Sequence, residues 1–138
     1  MSAAVGREWC AAALLAMLAL SGCGLGGPAH GPPPPNAAAI VDMGFESFSP
    51  ATITIRPGGL VEWRNTSLIT HTVTDDPKLA HKPGDLMLPA GAPAFNSGDV
   101  PAGQIYRHTF EVPGTYRYFC IHHEGDGMLG TVIVRSPS

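Results

Sequence analysis

Short alternating runs cut by turn residues constrain this chain more than any other feature. Thr52-Ile53-Thr54-Ile55 alternates polar and apolar and is followed by Pro57-Gly58-Gly59. Leu60 to Asn65 places Val61 and Trp63 on one face and Leu60, Glu62 and Arg64 on the other. Gln104 to Val112 aligns Tyr106, His108 and Phe110 before Pro113-Gly114, and Gly130 to Arg135 aligns Val132 and Val134. Period two bounded by Gly and Pro is the pattern of half-buried strands. Residues 39–43, 69–74 and 115–120 complete the set, with no internal repeat and no long amphipathic helix. The expectation is an all-β fold: an antiparallel Greek-key β-sandwich of about seven or eight strands, occupying residues 39–138. The exception is Asp75 to Ala94, which has no period and carries Pro77, Pro83, Pro89 and Pro93. A connection that long in a compact domain is functional or holds a small helix.

The chain has three cysteines: Cys10, Cys23 and Cys120. Only Cys120 lies in the strand-rich part, so a disulfide framework is excluded there and the thiol reads as a ligand or nucleophile. It opens the run Cys120-Ile121-His122-His123-Glu124-Gly125-Asp126-Gly127-Met128, which has the spacing C-x2-H-x4-M. A thiolate, an imidazole and a thioether brought together by one loop can bind a soft or borderline metal. A second imidazole stands upstream at His71. Two imidazoles, a thiolate and a long axial thioether are the donors of a blue-copper electron-transfer site. His122 offers a competing C-x-H spacing, at the cost of leaving His123 unused. His81 and His108 read as a solvated loop residue and a packed residue on the Phe110 face, Met87 as loop packing, and His30 as a linker residue.

The N-terminus reads as an export segment. Arg7 gives a thin positive region, and Ala11 to Leu20 is an apolar stretch of ten residues, short of the roughly 20 that span a bilayer. Leu20-Ser21-Gly22-Cys23 resembles the bacterial lipobox, which implies a lipoprotein signal peptide over 1–22 and a lipid on the sulfur of Cys23. An ordinary secretory signal, with Cys23 a bystander, is the alternative. Residues 23–38 include Pro32 to Pro35 and form a Pro/Gly-rich tether. The expected location is extracytoplasmic, lipid-anchored to a bacterial-type cell membrane at its periplasmic or cell-surface face.

The domain resembles the cupredoxins, the blue copper proteins. The residues that carry the resemblance are Pro57-Gly58-Gly59, Trp63, Asn65, His71-Thr72-Val73, Phe95-x-Ser97-Gly98, Gly103, Phe110, Pro113-Gly114-Thr115-Tyr116-x-Tyr118-x-Cys120, and His123-Glu124-x-x-Gly127-Met128-x-Gly130. The loop spacing is similar to the plastocyanin/pseudoazurin type, and together with the lipobox it most resembles membrane-anchored halocyanin. The resemblance implies one copper cycling between Cu(II) and Cu(I), with His71, Cys120, His123 and Met128 as ligands and His123 as the electron exit. Asn often follows the first histidine in the family and supports the thiolate. Thr72 stands there instead, which leaves that role open.

The expected function is therefore that of a one-electron carrier with transient redox protein partners, acting as a monomer. Copper storage or delivery is the alternative reading. An enzyme would need further histidine clusters, and the chain has six histidines in all. Charged residues make up 14% and the net charge is −3, so nucleic acid is not an expected partner.

Overall fold

A computed structural model describes residues 30–136. The export segment and Cys23 lie outside them. Seven strands form two sheets: β1 (Ala37–Met43), β2 (Phe48–Ser49), β3 (Thr52–Ile55), β4 (Gly59–Asn65), β5 (Ile105–Phe110), β6 (Gly114–Phe119) and β7 (Leu129–Val134). One sheet has the order β2-β1-β4-β5 and the other β3-β7-β6. The alternation read from the sequence matches burial: Ile53 and Ile55 face inward from β3, and Val132 and Val134 from β7. Trp63, fully buried, meets Tyr118 edge-on at 5.5 Å between ring centroids. Burying a large apolar side chain stabilises by roughly 1.5–3 kcal/mol, so this inter-sheet cluster is a main source of the sandwich's stability.

The sheets are mixed, where an antiparallel sandwich is the sequence expectation. β1 pairs with β4 in parallel, and β3 with β7 likewise. The cause is a strand exchange between sheets. The chain reverses after β1, pairs briefly as β2, and continues into the second sheet as β3. It reverses again at Pro57-Gly58 and returns beside β1 in the original direction. Period-two patterning fixes which side chains face inward and carries no information about the partner's direction.

Two further differences concern local structure, while the long connection meets its expectation of a small helix. β1 begins at Ala37, two residues before the position read from the sequence. The preceding segment is fastened to the domain, because Arg64 Nη2 donates to the Gly31 carbonyl at 3.3 Å. Residues 69–74 form no continuous strand. His71 and Thr74 make isolated bridges to Val100, Asn96 and Phe119. The long connection holds a single 3₁₀ turn, Pro83–Asp85.

On the outer face of β4, Glu62 is completely buried beneath two arginines, with Arg64 Nε at 2.6 Å and Arg107 Nε at 2.7 Å. Burial pushes its carboxyl pKa up, but the bonds from Arg64 and Arg107 outweigh that and hold it below the usual range.

Candidate metal centre

The end of the sandwich where β6 gives way to β7 gathers the donor residues. Cys120 directly follows β6 and is fully buried. Its N–H donates to the Met128 carbonyl at 3.2 Å. Between them the loop folds back on itself: the His123 carbonyl accepts from the N–H groups of Asp126 and Met128, each at 3.1 Å. Gly127 closes the 3₁₀ turn Glu124–Asp126 with φ of 84°, a left-handed conformation that favours glycine.

His71 arrives from the other side. Its N–H donates to the Val100 carbonyl at 3.1 Å and its carbonyl accepts from Val100 N–H at 2.7 Å. Asn65 holds the approach, its Nδ2 bonding the carbonyls of Ile69 and Val100. The ring turns Nδ1 toward Cys120 Sγ at 3.7 Å and Nε2 toward Ser67 Oγ at 2.9 Å. A polar partner on one ring nitrogen frees the other to coordinate. Burial lowers the His71 pKa; His123 acts in the same direction, and the Gly44 backbone opposes it.

His123 Nδ1 lies 3.5 Å from the same sulfur. The donor atoms of His71, Cys120 and His123 all fall within 4.8 Å of one another. Met128 is fully buried on the same loop. His122 is not in the cluster: its Nε2 pairs with Asp99 Oδ1 at 2.9 Å on the surface.

The sulfur has its own support. Thr72 N–H points at Cys120 Sγ at 3.4 Å, and the Thr72 hydroxyl lies 3.8 Å from it while accepting the Ile121 N–H at 2.7 Å. The structure thus gives Thr72 a contact to the thiol that the sequence left open. The signal was its position directly after His71. Ser67 had no comparable signal.

The other candidates lie elsewhere. His108 stacks on Phe95 with centroids 4.6 Å apart, and burial lowers its pKa. His81 is exposed. Met87 is 42% exposed, more open than its reading as a packed residue, and its backbone pairs with Arg117. A surface cleft at the opposite end of the sandwich, lined by residues such as Arg56, Gly58 and Arg135, holds none of the donors.

A buried thiol with two imidazoles and no carboxylate suits zinc or copper on chemistry alone. Comparison with known proteins decides between them. Residues 36–135 match the family of copper binding proteins, plastocyanin/azurin family. The chain belongs to this family. It is 37% identical over 106 residues to the chloroplastic plastocyanin of Tetradesmus obliquus, covering 71% of this chain and 68% of that one. It is 37% identical over 98 residues to plastocyanin of Nostoc punctiforme, covering 68% of each. Among solved structures, amicyanin from Paracoccus versutus superposes with a TM-score of 0.58 at 28% identity, over 74% of this chain and 84% of amicyanin. The cupredoxin assignment stands, copper is the cofactor, and His71, Cys120, His123 and Met128 form its candidate site.

Proposed function

We propose that this chain is a type 1 blue copper electron carrier in which His71, Cys120, His123 and Met128 are the copper ligands. The observation that carries the reading is the convergence of two imidazoles on one buried sulfur, from segments about 50 residues apart in sequence, within 4.8 Å. Copper supplies a one-electron Cu(II)/Cu(I) couple when bound. The protein holds the donors in place beforehand. Val100 pins the His71 backbone, Ser67 orients its ring, and Thr72 supports the sulfur. Donors fixed in this way move little between redox states, which favours fast transfer.

His71 and Cys120 are closed to solvent, while His123 is half-buried. The imidazole of His123 is therefore the proposed electron exit. Gly125 and Gly127 beside it are exposed and small, so a redox protein can approach closely in a small, transient encounter. The protein acts as a monomer and is not an enzyme. Anchoring through lipidated Cys23, on the Pro/Gly-rich segment that leads into β1, places it at the outer face of a bacterial-type cell membrane, as in halocyanin. The lipobox-like Leu20-Ser21-Gly22-Cys23 supports this. Two or three acyl chains, at about 0.8 kcal/mol per buried methylene, are sufficient for stable anchoring.

Storage or delivery requires exchangeable copper. Burial of His71 and Cys120 opposes exchange, and exposed His81 and Met87 lie outside the cluster. Stopped-flow reduction combined with chelator competition separates the two. A carrier reduces rapidly and retains copper in both states. Slow reduction with ready loss of Cu(I) to the chelator contradicts the carrier reading.

A further inference from the structure

Glu124 directly follows the half-buried His123, yet only 2% of it is exposed. Its carboxylate meets backbone. His81 N–H donates to both oxygens, at 2.9 and 3.1 Å, and Lys82 N–H donates to Oε1 at 3.0 Å. Among the described residues it forms no ion pair with Lys, Arg or His. A carboxylate withdrawn from water needs compensation, and charge-assisted bonds from main-chain N–H groups are the strong form of it. The bonds cross 42 and 43 positions of sequence, joining the ligand loop to the long connection between residues 75 and 94.

The placement matters for the metal loop. The 3₁₀ turn begins at Glu124, and the His123 carbonyl accepts the bonds that fold Met128 back toward Cys120. The loop is thus closed internally by its own backbone, and Glu124 fixes it externally to a second segment. His81 and Lys82 use only their N–H groups in this contact.

We propose that Glu124 is a positioning residue for electron transfer: it clamps the loop bearing His123 and Met128 to the backbone at residues 81–82 and thereby limits loop movement between the two copper states. The proposal rests on the blue-copper reading. The test is Glu124→Gln, which keeps size and removes charge, with Glu124→Asp as a second variant that keeps charge and shortens reach. In the copper-free protein, amide exchange at His81 and Lys82 should accelerate about tenfold or more in Glu124→Gln, since a charged acceptor is lost. In the copper-loaded protein the blue colour should remain while electron self-exchange slows by about tenfold. Glu124→Asp should fall between Glu124→Gln and wild type in both.

Unchanged amide exchange overturns the clamp. Faster amide exchange with wild-type self-exchange overturns the role in electron transfer and leaves a merely structural contact, as does failure of both variants to fold. A colourless wild-type adduct refutes the blue-copper reading itself, and the role in electron transfer falls with it.

Discussion

The main-chain N–H of Thr72 points at the Cys120 sulfur from 3.4 Å, and the Thr72 hydroxyl accepts the N–H of Ile121, the residue after that cysteine. One residue therefore braces the thiol and the start of the ligand loop together. Thr72→Val keeps shape and the main-chain bond to sulfur but leaves the Ile121 N–H without its acceptor. It should destabilise the protein by about 1–2 kcal/mol and still bind copper. Thr72→Ser should retain most of the stability. Urea unfolding of the copper-free variants checks both.

Gly130 lies opposite Tyr118 in the β6–β7 register. A methyl group there would run into the Tyr118 ring, which is fully buried and has no room to retreat. Gly130→Ala should therefore cost about 3 kcal/mol through overpacking, measured as a lower urea midpoint with an unchanged slope. Wild-type stability would show that the ring can shift.

Asp75 is fully buried, with one oxygen taking the Phe95 N–H at 2.8 Å and the other lacking a protein partner. Burial is the main cause that pushes its pKa up to about 6 from 3.8. The folded state thus holds this proton more tightly than the unfolded state does. Its contribution is most favourable below about pH 4 and is lost as pH rises to about 6, by up to about 3 kcal/mol. Asp75→Asn removes the titration. Melting temperatures of the copper-free proteins at pH 4 and pH 7 should show wild type losing ground to Asp75→Asn as pH rises, and a constant difference contradicts this.

Met128, fully buried at the end of the ligand loop, is the proposed axial donor. Met128→Gln should keep copper and lower the reduction potential, measured by voltammetry. An unchanged potential argues against axial ligation by Met128.

Much of this molecule is legible in the sequence, because period-two burial and the C-x2-H-x4-M spacing are local. Ile53, Trp63 and Val132 face inward as their alternation dictates, and His71, Cys120 and His123 come together. The parallel pairing of β1 with β4 was not legible, since the same alternation serves either direction. Nor was the Glu124 clamp. A glutamate in a glycine-rich loop reads as solvated, and its burial depends on N–H groups of His81 and Lys82 far along the chain. His122 and His123 are the same donor type, and in the sequence only the loop spacing favours His123. The folded loop adds the geometry, sending His122 outward to Asp99 and His123 to the sulfur.

The central claim is that Cys120 binds copper as a thiolate within a type 1 site. The most direct measurement is the visible and paramagnetic resonance spectrum of the Cu(II)-loaded protein beside Cys120→Ser and His122→Ala. A type 1 site built on Cys120 predicts an intense thiolate-to-copper absorption that Cys120→Ser abolishes and His122→Ala retains. A colourless Cu(II) adduct of the wild type, or colour that depends on His122, would contradict it.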